Sequence, residues 1–195
     1  MEPRPLELND QMVDAISLYN TFNNAYGVTQ KFEHDIIKEI TSLPDVQVVA
    51  ECGVFQGWST ALLMCCDIKK LNSYEIDFQH IAPLILTLMK VKGAVDWTLT
   101  AHNTISEPIQ PADFTFLDTV HTYEHVNREL EIQAPMTKRF IAIHDANYPK
   151  EASPKKVRDA AYEYAQKSNG VWQITLDDDT DTGIVLLERK RLIRS

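Results

Sequence analysis

The strongest constraint on the fold is the order of the segments after Pro44, where short apolar, β-branched runs alternate with stretches of helical spacing. This alternation predicts strands joined by helical crossovers, and therefore an α/β fold with a mainly parallel sheet and helices on both faces. The predicted strands are Val46–Cys52, Asn72–Ile76, Trp97–Ala101, Phe114–Leu117 and Phe140–Ile143. The predicted helices are Gly57–Cys66, Phe78–Lys92, Tyr123–Ile132 and Lys155–Gln166.

The two ends of the chain differ from this pattern. The predicted strands Val171–Leu176 and Ile184–Glu188 are separated by seven residues, too few for a helical crossover, and are expected to form an antiparallel hairpin. Before Pro44, helical spacing predicts the helices Asn9–Ala25 and Lys31–Ser42. A chain of 195 residues is the size of one domain, so residues 1–44 are expected to cap a core of residues 45–195.

The charge of the chain narrows the choice of partners. It carries 28 acidic and 19 basic residues, a formal net charge of −9, which disfavours nucleic acid and anionic membranes. No apolar stretch approaches the roughly 20 residues of a membrane span, and the N-terminus does not have the pattern of a signal peptide. Cys52, Cys65 and Cys66 cannot all pair, and they are expected to be small buried residues of a cytoplasmic protein.

Two glycines, Gly53 and Gly57, stand four residues apart where the first predicted strand gives way to a helix. Glycines at such a turn let the backbone approach a ligand, and the helix start offers free N–H groups to an anion. An ordinary tight turn has the same spacing. The pattern is neither G-x-G-x-x-G nor a phosphate-binding loop, so nucleotide phosphates are not the expected ligand.

An acidic residue, Glu75, lies near the end of the second predicted strand, 24 residues after Glu51 in the first. In open parallel sheets the ligand lies beyond the carboxyl ends of the strands, where an acidic side chain at this position accepts the hydroxyls of a ribose. Glu75 is therefore a candidate ribose-binding residue, with a solvated carboxylate as the alternative.

Four segments carry a family resemblance: Glu51–Ser59 (ECGVFQGWS), Ser73–Asp77 (SYEID), Phe116–Glu124 (FLDTVHTYE) and Ile143–Asp145 (IHD). In this order they resemble the class I S-adenosylmethionine-dependent methyltransferases, and most closely the small-molecule O-methyltransferase branch with catechol and caffeoyl-coenzyme A enzymes and bacterial relatives. The resemblance runs from about residue 46 to 188. It implies a Rossmann-like three-layer sandwich with seven strands in the order 3-2-1-4-5-7-6, the terminal hairpin forming strands six and seven.

The resemblance also implies which residues bind S-adenosylmethionine. The ribose hydroxyls would be held by Glu75, the adenine would pack against Ile76, and Asp118 would lie below the sulfonium. Relatives place an aspartate against the adenine amino group where this chain has His102. The methionine part would be surrounded by residues of the first segment, namely Glu51, Gly53, Phe55, Gly57 and Ser59.

Methyl transfer to a hydroxyl requires removal of its proton. Many relatives hold Mg²⁺ with an aspartate after strand four and an Asp-Asn pair after strand five, which lowers the pKa of the acceptor. Asp118 and Asp145 match the two aspartates, and Ala146 replaces the asparagine, so Asn147 or a water molecule would complete the metal site. Alternatively, the two carboxylates only hydrogen-bond to loops and substrate.

His121 is the candidate base, three residues after Asp118, where metal-dependent relatives often carry a lysine. It is expected at the start of a helix, beside Asp118, with a pKa near neutrality because the carboxylate and burial act in opposite directions. A helix-start histidine without a chemical role is the alternative. His144 precedes Asp145, and the alternation of side chains along a strand predicts that one of the pair points away from the site.

The expected function is therefore methyl transfer from S-adenosylmethionine to a small-molecule acceptor, with a hydroxyl oxygen as the expected atom. The N-terminal helices would cover the acceptor or build a homodimer. Three alternatives stay open: a noncatalytic cofactor-binding protein, a nucleotide-cofactor oxidoreductase, and a zinc hydrolase. The last is suggested by His121–His125, which matches H-x-x-E-H and would place two histidines on one face of a helix.

Overall fold

The computed structural model describes residues 31–80, 95–149, 154–180 and 182–190. Seven strands form one sheet in the order β3-β2-β1-β4-β5-β7-β6. The strands are β1 (Val48–Cys52), β2 (Lys70–Glu75), β3 (Asp96–Ala101), β4 (Ala112–Leu117), β5 (Thr137–His144), β6 (Trp172–Asp178) and β7 (Ile184–Arg189). The helices are α1 (Lys31–Thr41), α2 (Trp58–Met64), α3 (Tyr123–Gln133) and α4 (Val157–Lys167), with 3₁₀ turns at Phe78–His80 and Ala134–Met136.

The pairing of the strands confirms the predicted fold class. Strands β1 to β5 pair in parallel, while β7 pairs antiparallel with both β5 and β6. The chain moves outward from β1 to β3 and then returns to β4 on the other side of β1. A crevice therefore forms between β1 and β4, at the edge where the parallel strands end, which we call the carboxyl edge.

Each face of the sheet has its own hydrophobic core. On one face, α1 and α2 pack through Ile37 and Leu62 against sheet residues that include Phe116. On the other, α3 and α4 pack through Leu130 and Ala160 against a second set of apolar residues. Burying a large apolar side chain contributes about 1.5–3 kcal/mol, so these contacts hold both helical layers to the sheet.

A side-chain cap explains where the helix beside the crevice begins. The helix α3 starts at Tyr123 because the Thr122 side chain accepts a hydrogen bond from the backbone N–H of His125, at 3.3 Å.

Of the predicted helix at residues 78–92, only the turn at residues 78–80 is described. The predicted helix at residues 9–25 lies outside the described residues.

Two expectations from composition can be compared with the described residues. Cys52 is buried as expected, whereas Cys65 is exposed because it follows the last turn of α2 at the surface. Within the described ranges, no helix has the length and apolar character needed to cross a membrane.

Candidate active site

Two cavities open at the carboxyl edge, and Phe55 and Asp118 line both of them. The larger cavity, of about 520 Å³, extends over the ends of β1 to β4 and is lined by Glu75 and His102 among others. The smaller cavity, of about 170 Å³, lies between α1, α2 and the ends of β4 and β5, with Trp58 in its wall. The site therefore consists of two compartments that meet at Asp118.

Gly53 lies at the end of β1 and lines the larger cavity. Its φ is 89°, and a Cβ there would lie 1.9 Å from the backbone oxygen of Asp118. Glycine is thus required mainly because the loops after β1 and β4 approach each other. Gly57 lines neither cavity; with φ 85° it is the N-cap residue of α2. Its predicted contact with the cofactor is not supported, because its role is to end the turn.

The carboxylate of Glu75 is occupied by the loop after β1. Its Oε2 accepts hydrogen bonds from the backbone N–H groups of Val54 and Phe55, at 3.0 and 2.9 Å. Its Oε1 accepts from those of Ile76 and Asp77, at 2.8 and 3.1 Å. Burial acts to raise the pKa of Glu75, but these four bonds outweigh it and the pKa lies below its ordinary value. Glu75 lines the larger cavity, with its acceptor sites already in use.

Glu51 lies underneath the loop rather than in a cavity. It is fully buried, and its Oε2 accepts hydrogen bonds from the hydroxyls of Thr60 and Ser73, at 2.8 and 2.6 Å. Burial raises the pKa of Glu51 to about 7, against the lowering effect of hydroxyls that include Ser59. In this geometry the carboxylate supports α2 and β2 from below, and its Oε1 makes no hydrogen bond with the described residues.

The other residues predicted to contact the cofactor each line at least one of the two cavities. Phe55 and Ile76 are apolar side chains at the larger cavity, 57% and 67% exposed. His102 lies in the same wall, with Nε2 3.1 Å from the carbonyl oxygen of Glu107. Ser59 faces the smaller cavity instead. Exposed apolar groups in the wall of the larger cavity give it a surface on which a flat ring can pack.

Four titratable side chains converge where the two cavities meet: Asp118, His121, His144 and Asp145, here called the acid–histidine cluster. Each side chain offers one nitrogen or oxygen atom that could bind a metal ion, and these atoms lie within 4.8 Å of one another. The Oδ1 of Asp118 is 3.1 Å from Nε2 of His121 and 3.0 Å from Nδ1 of His144. The Nδ1 of His121 is 2.8 Å from Oδ2 of Asp145. His121 thus bridges the two carboxylates, beside Asp118 as predicted.

The backbone explains why both His144 and Asp145 reach this cluster. His144 is the last residue of β5, and Asp145 follows it with a left-handed φ of 53°. Side chains alternate between faces only while the chain stays extended, so this turn brings the second side chain back to the same side. The prediction that one of the two points away is therefore wrong. Aspartate is among the residues that adopt this conformation most readily.

The charged groups of the cluster shift the pKa values of His121 and Asp118. Burial acts to lower the pKa of His121, but the carboxylates of Asp118 and Asp145 outweigh it and raise the pKa to about 9. Burial acts to raise the pKa of Asp118, but His144 and His121 hold it well below its ordinary range. The prediction of a near-neutral pKa for His121 is wrong because a second carboxylate, Asp145, faces the ring.

Asn147 does not join the cluster. Its Oδ1 accepts a hydrogen bond from Arg158, and its Nδ2 donates to the backbone oxygen of Asp179 at 2.9 Å. The amide therefore connects the end of β5 to α4 and to the turn before β7. The amide oxygen predicted as a metal ligand is thus already used by Arg158, and His121 and His144 stand beside the two aspartates.

The two histidines of the H-x-x-E-H motif lie in different surroundings in the structure. His121 precedes the Thr122 cap and is outside α3, so the one-turn helical spacing to His125 does not apply. The Nε2 of His125 lies 3.7 Å from Oε1 of Glu129 rather than in the cluster. This arrangement contradicts the zinc-hydrolase alternative based on that motif.

Sequence reasoning missed a buried carboxylate behind the larger cavity. Glu129 is fully buried and accepts hydrogen bonds from the hydroxyls of Thr104 and Thr119, two residues of the cavity wall. A signal was present, since Glu129 lies between Val126 and Leu130 on the apolar face of α3. It also missed His34, which extends from α1 into the wall of the smaller cavity.

Solved structures with this arrangement of strands are known. A candidate caffeoyl-CoA O-methyltransferase from Staphylococcus aureus has a TM-score of 0.67 and 16% identity, covering 90% of this chain and 92% of that chain. An O-methyltransferase from Bacillus cereus, in complex with S-adenosylhomocysteine, has a TM-score of 0.62 and 12% identity, covering 95% and 93%. The fold is that of the class I methyltransferases.

A third solved protein with the methyltransferase fold is magnesium protoporphyrin IX methyltransferase from Synechocystis, with bound S-adenosylmethionine. Its TM-score is 0.59 at 13% identity, covering 96% of this chain and 100% of that chain. No protein-family model matches the sequence, and no curated protein matches it. The names of the solved methyltransferases refer to different acceptors, so the shared fold does not specify one.

Proposed function

We propose that this protein transfers a methyl group from S-adenosylmethionine to the oxygen of a small-molecule acceptor. The observation that carries the proposal is the two-compartment site, whose cavities meet at Asp118 on the carboxyl edge of a methyltransferase fold. The larger cavity, of about 520 Å³, has the size of pockets that bind cofactors, which run from about 300 to 1,000 Å³.

The lining of the cavities suggests how the two molecules divide the site. The adenosine of the cofactor would lie in the larger cavity, between Ile76 and His102, with the ribose hydroxyls at Glu75. The sulfonium would face Asp118, and the acceptor would enter the smaller cavity beside Trp58. Helix α1 contributes to that cavity, which agrees with the expected position of the N-terminal cap over the acceptor.

We assign proton removal to His121, with Asp118 and Asp145 as the groups that hold its ring. The acceptor oxygen attacks the methyl carbon as the carbon–sulfur bond breaks, and S-adenosylhomocysteine leaves. The hydroxyl proton passes to the neutral imidazole of His121, which must first have lost its own proton. Alignment of the attacking oxygen with the methyl group supplies a further part of the rate.

Mg²⁺, which the resemblance implies, does not fit these residues. Mg²⁺ is bound through oxygen ligands in near-octahedral geometry, usually carboxylates and water. The cluster instead offers two imidazoles beside its two carboxylates, and the amide of Asn147 is engaged by Arg158 and by the backbone of Asp179. We therefore assign no step of the reaction to Mg²⁺.

Cofactor binding can be tested before the acceptor is known. Mass spectrometry of the purified protein should detect retained S-adenosylmethionine or S-adenosylhomocysteine, and calorimetry should detect binding of both. A matched titration with NAD⁺ tests the oxidoreductase alternative, which predicts the opposite preference. Binding of S-adenosylmethionine without methyl transfer to any member of a broad hydroxyl-compound panel would favour the noncatalytic alternative.

A further inference from the structure

We propose that the acid–histidine cluster is a binding site for a divalent transition metal ion of the Zn²⁺ or Co²⁺ type, with Asp118, His121, His144 and Asp145 as ligands. The inference goes beyond the proposed function, in which the same residues act without a metal ion. It starts from the disagreement between this donor set and Mg²⁺.

The spacing of the donors suits a single ion. One atom from each of the four side chains lies within 4.8 Å of all the others. Ligands bound tetrahedrally at about 2.1 Å from Zn²⁺ are about 3.4 Å apart, and nitrogen–oxygen pairs of the cluster are already 2.8, 3.0 and 3.1 Å apart.

The chemistry of the donors selects the kind of ion. Imidazole nitrogen is a good ligand for Zn²⁺, Co²⁺, Ni²⁺ and Fe²⁺, whereas sites made of carboxylate, carbonyl and water suit Mg²⁺ and Ca²⁺. Two histidines in a set of four therefore favour a transition metal. The two carboxylates balance the charge of a divalent ion.

Asp145 supplies a second, independent observation. The residue is only 8% exposed, and its Oδ1 makes no hydrogen bond with any of the described residues, although His144 Nδ1 lies 3.4 Å away. An unsatisfied carboxylate oxygen is costly to bury. Because Asp145 belongs to the cluster, this oxygen is an acceptor available to a cation bound there.

The cluster is also accessible to an ion. Asp118 and His121 line the larger cavity, and Asp118 and His144 line the smaller one. An ion can therefore enter from either compartment without opening the core. A bound ion would occupy a lone pair of His121, so the metal-loaded protein should be unable to use that ring as a base.

The test is metal binding by the full chain after treatment with a chelator and dialysis. Titration with CoCl₂, followed by the visible absorption of Co²⁺, should show one ion per chain, and competing ZnCl₂ should remove the signal. Calorimetry should show that MgCl₂ binds at least about a hundredfold more weakly than ZnCl₂. Equal affinities for Mg²⁺ and Zn²⁺ would overturn the proposal.

The variants His144→Ala and Asp145→Asn should each weaken Co²⁺ binding by at least about tenfold. His125→Ala is the matched control, a neighbouring histidine outside the cluster, and its Co²⁺ binding should equal that of the wild type. Loss of binding in His125→Ala equal to that in His144→Ala would contradict the assignment. Circular dichroism checks that each variant is folded. If His144→Ala does not fold, Asp145→Asn, which preserves the side-chain volume, still tests the site.

This experiment is independent of the proposed methyl transfer. Co²⁺ binding is measured without cofactor or acceptor, and S-adenosylmethionine binding is measured on the chelated protein. A protein that binds the cofactor but not Co²⁺ would refute only the metal site. A protein that binds Co²⁺ but not S-adenosylmethionine would refute only the proposed function.

Discussion

The two ends of strand β4 each carry a buried or partly buried aspartate, in contrasting surroundings. At the amino end, Asp113 accepts hydrogen bonds from the backbone N–H groups of Gln47 and Val48, at 3.0 and 2.9 Å, and pairs with Lys138 at 2.8 Å. Beyond the carboxyl end, Asp118 has two histidines as partners, at 3.1 and 3.0 Å. Burial acts to raise both pKa values, and the partners lower both below the ordinary value.

The two aspartates differ in whether their hydrogen-bond partners can change protonation state or bind a metal ion. Backbone N–H groups and a lysine keep their protons in neutral solution, so Asp113 has a fixed role in joining β1, β4 and β5. Histidines can lose a proton or bind a metal ion, so Asp118 belongs to a group that can change state. The pKa is lowered at both edges, but only at the carboxyl edge are the partners side chains that the proposed chemistry could use.

The largest effect is expected when the base at the carboxyl edge is removed. In metal-free protein, His121→Ala should lower the turnover of methyl transfer by about 10²–10⁴-fold, the usual contribution of a positioned base. Affinity for S-adenosylmethionine, measured by calorimetry, should change little. Lys138→Ala at the amino edge is the control and should keep its turnover. Wild-type turnover in His121→Ala would instead point to Asp118 as the group that activates the hydroxyl.

A large loss of stability is expected at Gly53, where the two loops of the carboxyl edge meet. A Cβ there would lie 1.9 Å from the backbone oxygen of Asp118, so Gly53→Ala should reduce the free energy of unfolding by roughly 3 kcal/mol. Gly170→Ala is the matched control, since φ is 80° and the nearest atom is 4.0 Å away. It carries backbone strain alone, about 1–2 kcal/mol. Urea unfolding measures both, and equal losses would show that the close contact at Gly53 is unimportant.

A smaller effect is expected for the cofactor at the same edge. Glu75→Ala should weaken S-adenosylmethionine binding at least about tenfold, because hydrogen bonds to a charged group contribute about 1.5–3 kcal/mol each. Calorimetry at neutral pH gives the affinity. Glu75→Gln keeps one acceptor oxygen and should fall between the wild type and Glu75→Ala. Unchanged affinity in a folded Glu75→Ala protein would remove Glu75 from the ribose site.

The pH dependence of stability should distinguish the two edges. The pKa of His121 is about 9 in the folded protein and about 6.5 in an unfolded chain, so the folded state binds this proton more tightly. The stabilisation is therefore complete below about pH 6.5 and is lost as the pH rises through 9. Between about pH 7 and 10, metal-free wild type should lose on the order of 1 kcal/mol more than His121→Ala, after allowance for solvent screening. Parallel pH curves for the two proteins would contradict the raised pKa.

The smallest effect is expected at the amino edge. Asp113→Asn keeps one acceptor oxygen for the N–H groups of Gln47 and Val48 but loses its charge toward the exposed Lys138. The expected loss is about 0.5–1.5 kcal/mol of unfolding free energy, with no change in S-adenosylmethionine affinity. A loss of cofactor affinity in this variant would contradict the proposal that the amino edge has only a structural role.

The alternating segments predicted the strands and helices, and the family resemblance implied their order in the sheet, which the structure confirms. The resemblance also pointed to Asp118 and His121, which the structure places at the edge where the residues that follow parallel strands meet. The prediction that one of His144 and Asp145 points away from the site was wrong because the rule of alternation stops at the last extended residue. The left-handed turn at Asp145 leaves no clear mark in the sequence.

Other contacts could not be predicted because sequence spacing does not show what a side chain contacts. Asn147 was assigned to the site by its place after Asp145, but Arg158, distant in sequence, holds its amide. Glu51 was assigned to the ligand by its motif, but the hydroxyls of Thr60 and Ser73 fix it below the loop. Long-range contacts of this kind depend on packing, which periodicity alone does not determine.

The four hydrogen bonds of Glu75 have a consequence for how a nucleoside would enter the larger cavity. One carboxylate cannot serve the backbone of the loop and the two hydroxyls of a ribose at full strength at the same time. Ribose binding at Glu75 would therefore be linked to the order of the loop, and the observed affinity would be the intrinsic affinity reduced to the fraction of chains in which the carboxylate is released. Any change that loosens the loop without removing Glu75 would make the cavity a tighter receptor.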